Sequence, residues 1–111
     1  MGDIADFYVG TTKSFSVTCK INGEAQDITG DTVTVRLKEN KGVTDAEAAI
    51  EKDADVATQG ADGVALFALT PSDTDIDPGR YHIDVEWVLA GGAEYIVYSD
   101  KINALERSSD V

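Results

Sequence analysis

The stretch from Leu69 to Trp87 constrains the fold of this chain more than any other part of the sequence. Thr70 and Pro71 suit the start of a short helical turn, because threonine caps free N–H groups and proline has none to lose at the first helical position. After Pro78 the pattern changes to alternation, with apolar residues at Tyr81, Ile83, Val85, Trp87 and Leu89 and mostly polar residues between them. This pattern predicts a helical turn near residues 71–75, followed by a strand with one buried face.

Alternation recurs in two further segments and predicts two more half-buried strands. Their apolar positions are Phe15, Val17, Cys19 and Ile21 in the first segment, and Val33, Val35 and Leu37 in the second. Between them, Asn22-Gly23 predicts a tight hairpin turn, because both residues tolerate positive φ. The apolar run at residues 64–69 predicts a central strand that is buried on both faces or carries a bulge.

Turn signals connect these strands. Asp62-Gly63 has the signature of a type I′ hairpin, and residues 90–93 predict a second hairpin that leads into a last strand ending near residue 105. For residues 44–58 we favour a brief turn followed by a strand, although the Thr44 to Glu47 capping box and the nearby alanines also suit a helix.

These elements predict an all-β sandwich of about seven to eight antiparallel strands with one short helical turn. We expect the sandwich to span residues 13–105 as one domain. Residues 1–12 form an N-terminal segment in which Phe7 and Val9 suit an edge strand, and residues 106–111 form a flexible tail.

The charge of the chain argues against several kinds of partner. The net charge of −12 comes from 21 acidic and 9 basic residues. Binding to nucleic acid depends on lysines and arginines that displace counterions, and anionic membrane surfaces attract the same residues. We therefore expect no nucleic-acid and no membrane partner, and we interpret the acidic surface as a solvated one.

The single cysteine, Cys19, excludes an internal disulfide and fits synthesis in a cytoplasm. The polar start of the chain does not resemble a signal peptide, and no apolar run approaches the roughly 20 residues of a membrane span.

The corner before Tyr81 resembles that of immunoglobulin domains, in which a tyrosine near the start of the sixth strand follows a tight turn. Asp77-Pro-Gly79 supplies the turn here. Ile83 stands where those domains carry a cysteine, and Cys19 stands at the position of its disulfide partner. The resemblance therefore implies an immunoglobulin-like sandwich that lacks the disulfide.

A wider resemblance joins the chain to small bacteriophage virion proteins, including the immunoglobulin-like N-terminal domain of phage baseplate upper proteins. It covers residues 13–105 and is carried by Asn22-Gly23, Asp27 to Lys38, Asp62 to Thr70, Asp73 to Tyr81 and the Gly91-Gly92 hairpin. The longer baseplate proteins have further domains, and we expect none within these 111 residues.

This resemblance implies a non-enzymatic structural or assembly subunit of the phage tail, baseplate or head. Such a protein is made in the cytoplasm of the bacterial host and resides in the virion, where it contacts other virion proteins and copies of itself through sheet edges and loops. The alternative is a β-sandwich module that binds a carbohydrate or a cell-surface ligand.

No residues form an evident catalytic or metal site, and we expect no cofactor. His82 is the only histidine and falls on the polar side of its strand, while Cys19 falls on an apolar side. Asp73, Asp75 and Asp77 resemble the start of an EF-hand calcium loop, but Pro78 occupies the position at which that loop needs glycine. A capped turn is the simpler interpretation of the three aspartates.

The last hairpin supplies the candidate interface residues Tyr95, Tyr98, Ile96 and Val88. Tyr95 and Tyr98 differ in parity along their strand, so at least one of them faces outward unless a bulge intervenes. An exposed tyrosine beside an aliphatic residue is a plausible interface anchor.

Overall fold

Extended strands make up nearly all of the regular structure of the chain. The computed structural model describes residues 6–39 and 48–106. Within these residues the strands are β1 (Phe7–Tyr8), β2 (Lys13–Thr18), β3 (Lys20–Ile21), β4 (Glu24–Ala25), β5 (Thr32–Lys38), β6 (Ile50–Asp53), β7 (Val64–Leu69), β8 (Gly79–Val88) and β9 (Glu94–Leu105). The only helical element among the described residues is a 3₁₀ turn at Gly60–Asp62. The prediction of a mostly β protein is therefore confirmed.

The strands form one five-stranded sheet in the order β1-β9-β8-β5-β6 and two pairs, β2-β7 and β3-β4. All of these pairs are antiparallel except β1 with β9, which is parallel. The expectation of purely antiparallel strands is thus wrong at this edge. Two hydrogen bonds hold the segment after β1 and thereby fix the direction of β1. Gly10 N–H donates to Thr74 O at 3.0 Å, and the buried Thr74 hydroxyl donates to Thr11 O at 2.6 Å.

The chain segment that follows β6 joins the two larger sheets. Ala54 N–H donates to Val33 O in the five-stranded sheet at 2.8 Å. The next residue, Asp55, pairs with Leu66 of β7 through two backbone hydrogen bonds of 2.8 and 3.0 Å. Buried residues from both sheets, including Val17, Phe67 and residues of β5 and β8, belong to one hydrophobic cluster.

The alternating pattern of β8 is observed as predicted. Tyr81, Ile83, Val85 and Trp87 are buried, whereas the residues between them are half-buried on the opposite face. The first predicted strand follows the same rule less completely, because Phe15 lies toward the margin of the core and remains half-buried. The burial of one face of each sheet supplies most of the apolar area removed from water.

The predicted helical turn is present as a single hydrogen-bonded turn at residues 71–74 that does not continue into a helix. Thr74 N–H donates to Thr70 O at 3.2 Å, but Ile76 N–H donates back to Thr74 O at 2.9 Å and ends the turn. The Asp73 carboxylate accepts the Thr70 N–H at 2.8 Å, and Asp73 N–H donates to the Thr70 hydroxyl at 3.3 Å. This reciprocal pair caps the turn.

Two turn predictions have different outcomes. Asn22 and Gly23 have φ values of 54° and 81°, as a tight hairpin between β3 and β4 requires. The type I′ hairpin predicted at Asp62-Gly63 is wrong, because the chain there forms the 3₁₀ turn and only Gly63 has positive φ, at 83°. The strands on either side, β6 and β7, belong to different sheets, and the chain between them pairs antiparallel only at Asp55 and Leu66, too far apart for a two-residue hairpin.

The run at residues 64–69 is buried on one face only. Ala65, Phe67 and Leu69 are buried, whereas Ala68 is exposed. Among the described residues nothing covers the outer face of this strand pair enough to bury both faces. In the ambiguous region, β6 confirms a strand at residues 50–53, while the Thr44 to Glu47 capping box lies outside the described residues, as does the tail after residue 106.

The Tyr81 side chain fixes the corner that precedes β8. Its hydroxyl donates to Asp77 O at 2.6 Å, and burial raises the pKa of the phenol and keeps it protonated. We expect Tyr81→Phe to lower the free energy of unfolding by about 1–2 kcal/mol, because the carbonyl loses its partner. Urea unfolding monitored by circular dichroism measures this, with Tyr95→Phe as the control because Tyr95 is 44% exposed. Equal losses in the two variants would contradict the prediction.

Candidate interaction surface

A bulge in β9 determines where the predicted interface residues lie. Val85 pairs with Tyr98 and the next residue of β8, Glu86, pairs with Ile96, so that Val97 is an extra residue in β9. The bulge changes the parity of the strand. Tyr98 and Tyr95 therefore both lie on the inner face of the sheet, directly across from their partners Val85 and Trp87 in β8.

The other two predicted residues lie on the opposite face of the sheet. Ile96 pairs with Glu86, and Val88 pairs with Glu94, all on the side that faces away from the core. Ile96 is 59% exposed and Tyr95 is 44% exposed, while Val88 and Tyr98 are half-buried. The four residues thus form two pairs on opposite faces of the sheet and do not make a single patch.

The hairpin that carries these residues is held by Asp31. Its carboxylate accepts the indole N–H of Trp87 at 2.9 Å and the backbone N–H of Ala90 at 3.0 Å. The Tyr95 ring lies against Trp87 with a centroid distance of 5.4 Å and an interplanar angle of 38°. The buried Trp87 ring, held by one charge-assisted hydrogen bond to the Asp31 carboxylate, therefore positions the exposed tyrosine.

An open cavity of about 350 Å³ lies beside the exposed residues. It is lined by Tyr95, Ile96 and Val97 of β9 and by Thr18 and Lys20 at the end of β2 and in β3. The cavity places one cationic side chain next to apolar and aromatic groups. It is a cavity of this surface that adjoins two of the predicted interface residues, Tyr95 and Ile96.

The outer face of the five-stranded sheet carries a cluster of paired charges. The Arg36 guanidinium binds Glu51 at 2.6 Å and Glu86 at 2.8 Å. The Ser99 hydroxyl donates to Asp84 at 2.7 Å. The sequence analysis missed this cluster, although the charges at alternate positions of β5 and β8 were a signal that one face of both strands is polar.

His82 and Cys19 occupy separate environments. His82 is half-buried on the outer face, beside Ser99, Asp100 and Lys101 at a cavity of about 350 Å³. Cys19 is fully buried, and burial together with the Asp31 charge raises the pKa of its thiol to about 11. A thiol in that state is protonated at neutral pH and is a poor nucleophile.

The three aspartates of the corner do not converge on a common point. The Asp73 carboxylate accepts hydrogen bonds from the Thr70 N–H and from the Lys52 ammonium group, the latter with an N–O distance of 3.0 Å. These bonds lower the pKa of the Asp73 carboxyl. Asp75 and Asp77 are exposed. Among the described residues no group of three histidine, cysteine or acidic side chains has the geometry to hold a metal ion.

Among the residues that the structure describes, none forms a strand against most of one edge of β9. The two-residue strand β1 covers it only at Ala104 and Leu105, and β8 occupies the other edge along its length. The exposed large apolar side chains of the described residues are Tyr8, Tyr95 and Ile96, and all three belong to β1 or β9. The sequence analysis missed the open edge, because strand order within a sheet is not encoded in the pattern of one strand.

None of the residues that the structure describes forms a helix long and apolar enough to cross a membrane. Comparison with known proteins adds no assignment to these observations. No protein-family model, no curated protein and no solved structure matches this chain.

Proposed function

We propose that the two larger sheets form an immunoglobulin-like β-sandwich. In the variable type of that fold, strands C′, C, F and G lie together in one sheet, while B and E lie in the other. The order β6-β5-β8-β9 has the chain order of C′-C-F-G, and the pair β2-β7 has that of B-E. The agreement in order and in chain direction supports this assignment.

The corner before β8 also supports the sandwich. In immunoglobulin domains a tyrosine near the start of strand F donates its hydroxyl to a backbone carbonyl a few residues upstream. Tyr81 makes such a bond to Asp77 O at 2.6 Å. Cys19 and Ile83, at the positions of the disulfide cysteines, are both buried, so apolar packing takes the place of the covalent link.

The function that the geometry supports best is that of a non-enzymatic assembly subunit. The observation that carries it is that the three exposed large apolar residues of the described part of the chain lie on β1 and β9, the strands at one edge of the five-stranded sheet. Exposed apolar side chains on the edge strands of a sheet suit contact with another protein, since such side chains gain from leaving water and a sheet edge can pair with a further strand.

The particle in which the subunit assembles is proposed from the sequence resemblance to phage virion proteins over residues 13–105. We place the protein in the virion, in the tail, baseplate or head, after synthesis in the bacterial cytoplasm. Its partners are other virion proteins and copies of itself, and its acidic surface leaves nucleic acid and membranes outside its contacts.

A second function is favoured by one observation. The open cavity beside Tyr95 combines an exposed aromatic ring with Thr18 and Lys20, a composition that suits a carbohydrate or another cell-surface ligand. Titration of the protein with a panel of bacterial surface oligosaccharides, followed by the fluorescence of Trp87 beside Tyr95, distinguishes this role from assembly.

The assembly role is tested on particles released from cells that carry the gene. The particles are banded in a density gradient, washed in high salt, and their proteins are identified and counted by mass spectrometry. We expect this chain in the particle band at a fixed copy number per particle. Its presence only in the soluble fraction would overturn the proposal.

A further inference from the structure

The open edge of β9 has a defined hydrogen-bonding pattern. Backbone groups alternate along an antiparallel strand, so that each residue directs its N–H and C=O toward one neighbour or the other. The N–H of Asn103 donates to the Asp6 side chain, and the C=O of Leu105 accepts the N–H of the residue that follows β1. Both groups point away from β8. By alternation, Lys101 and Ser99 also direct their backbone groups to this edge, where the Lys101 N–H donates to the Asp100 carboxylate at 2.8 Å.

The same reasoning applies on the other side of the bulge. Leu89 N–H donates to Ala93 O at 2.8 Å, so this pair is hydrogen-bonded across the hairpin. The next residue, Glu94, then directs its backbone groups away from β8, and so does Ile96. The open edge therefore presents two sets of backbone groups, one on each side of Val97, and pairing with another strand requires the Lys101 N–H to leave the Asp100 carboxylate.

We propose that this edge pairs antiparallel with β9 of a second copy of the chain, about a two-fold axis between Val97 and Tyr98. The proposal rests on the assembly role and names the partner and the register at that surface. The pairs across the axis are Glu94 with Lys101, Tyr95 with Asp100, Ile96 with Ser99, and Val97 with Tyr98. The two five-stranded sheets become one continuous sheet, with the isologous contact of a cyclic dimer.

The register follows from charge. Glu94 and Lys101 pair with Val88 and His82 of β8, so both lie on the outer face of the sheet. In the proposed register the two opposite charges face each other twice, once on each side of the axis. Opposite charges directly across a strand pair are favourable, and like charges are unfavourable.

The register also follows from the faces of the strand. Tyr95 and Asp100 pair with Trp87 and Ile83, so both lie on the inner face, where a phenol hydroxyl is able to donate to a carboxylate. A slip by one residue would place Glu94 opposite Asp100, a like charge on the other face. The bulge thus allows side chains on the same face to meet along the whole paired segment.

Charge reversal tests the pairing. Sedimentation velocity on the intact chain at several concentrations should show a species with twice the mass of the 11.8 kDa monomer. Glu94→Lys and Lys101→Glu should each raise the dissociation constant about tenfold, because each turns two attractive pairs into repulsive ones. The double variant should restore the dimer.

The two single variants change the net charge in opposite directions, so a general effect of charge would shift them oppositely, while loss of the specific pair weakens both. A monomeric native chain at all concentrations would overturn the proposal. So would a dimer that is insensitive to both reversals.

Cysteine pairs test the register. Tyr95→Cys combined with Asp100→Cys should give an interchain disulfide on mild oxidation, since opposite residues in a non-hydrogen-bonded antiparallel pair lie about 4.5 Å apart at Cα. Tyr95→Cys combined with Ser99→Cys is the matched control, one residue out of register, and should cross-link far less. Cys19 is buried and stays silent.

Equal cross-linking of the two variants, or none in either, would overturn the register. In either case the assembly role is tested separately by the presence of the chain in the particle band, because that measurement does not depend on pairing between two copies.

Discussion

Replacement of Gly63 by alanine is expected to lower the free energy of unfolding by about 3 kcal/mol. Gly63 has a φ of 83°, in the left-handed region that a side chain disfavours. A Cβ at this position would lie 2.7 Å from the carbonyl oxygen of Gln26 and 3.1 Å from the Ala25 side chain. The backbone cannot withdraw easily, because Gly63 O accepts the N–H of Cys19 at 2.8 Å and Cys19 O accepts that of Gln26 at 3.0 Å.

Gly30→Ala is the matched control for this prediction. Gly30 also has positive φ, at 90°, but an added Cβ there would meet nothing within 4 Å. We expect that variant to lose only about 1 kcal/mol, the backbone cost alone. Urea unfolding followed by circular dichroism gives both values. The difference between them measures the close approach of β4 and the start of β7, and similar losses would refute that contact.

The local sequence pattern predicted a turn correctly where the two strands beside the turn pair with each other. Asn22-Gly23 folds as its residue types predict, because β3 and β4 pair directly across it. Asp62-Gly63 carries an equally strong signal and folds differently, because the strands on either side belong to different sheets. Turn propensity is a local quantity, and the tertiary path of the chain overrides it at the second site.

The candidate interface shows the same limit. The residue types Tyr95 to Tyr98 all favour strands, and none of them marks Val97 as an extra residue. The bulge results from the pairing of β9 with β8, and it decides on which face each tyrosine lies. The residue types therefore supply candidates for the interface, whereas the division between faces and the open edge required the strand order.

Replacement of Trp87 by alanine is expected to be the most damaging single change in the core, with a loss of about 3–5 kcal/mol. Trp87 is 1% exposed and is the only tryptophan of the chain. Its removal leaves a large cavity under Tyr95 and deprives the Asp31 carboxylate of one of its two donors. Such a loss is a large fraction of the 5–15 kcal/mol that typically stabilises a domain.

Trp87→Phe separates the two effects in part, because it keeps a six-membered aromatic ring in the core and removes the N–H donor together with the smaller ring. We expect a loss of about 1–3 kcal/mol from the unsatisfied carboxylate. The double variant with Asp31→Ala should lose less stability than the sum of the two single losses, since both substitutions remove the same hydrogen bond. Simple additivity would contradict a direct interaction between Trp87 and Asp31. Thermal unfolding by circular dichroism is the suitable measurement, because both Trp87 variants lack the fluorescent side chain.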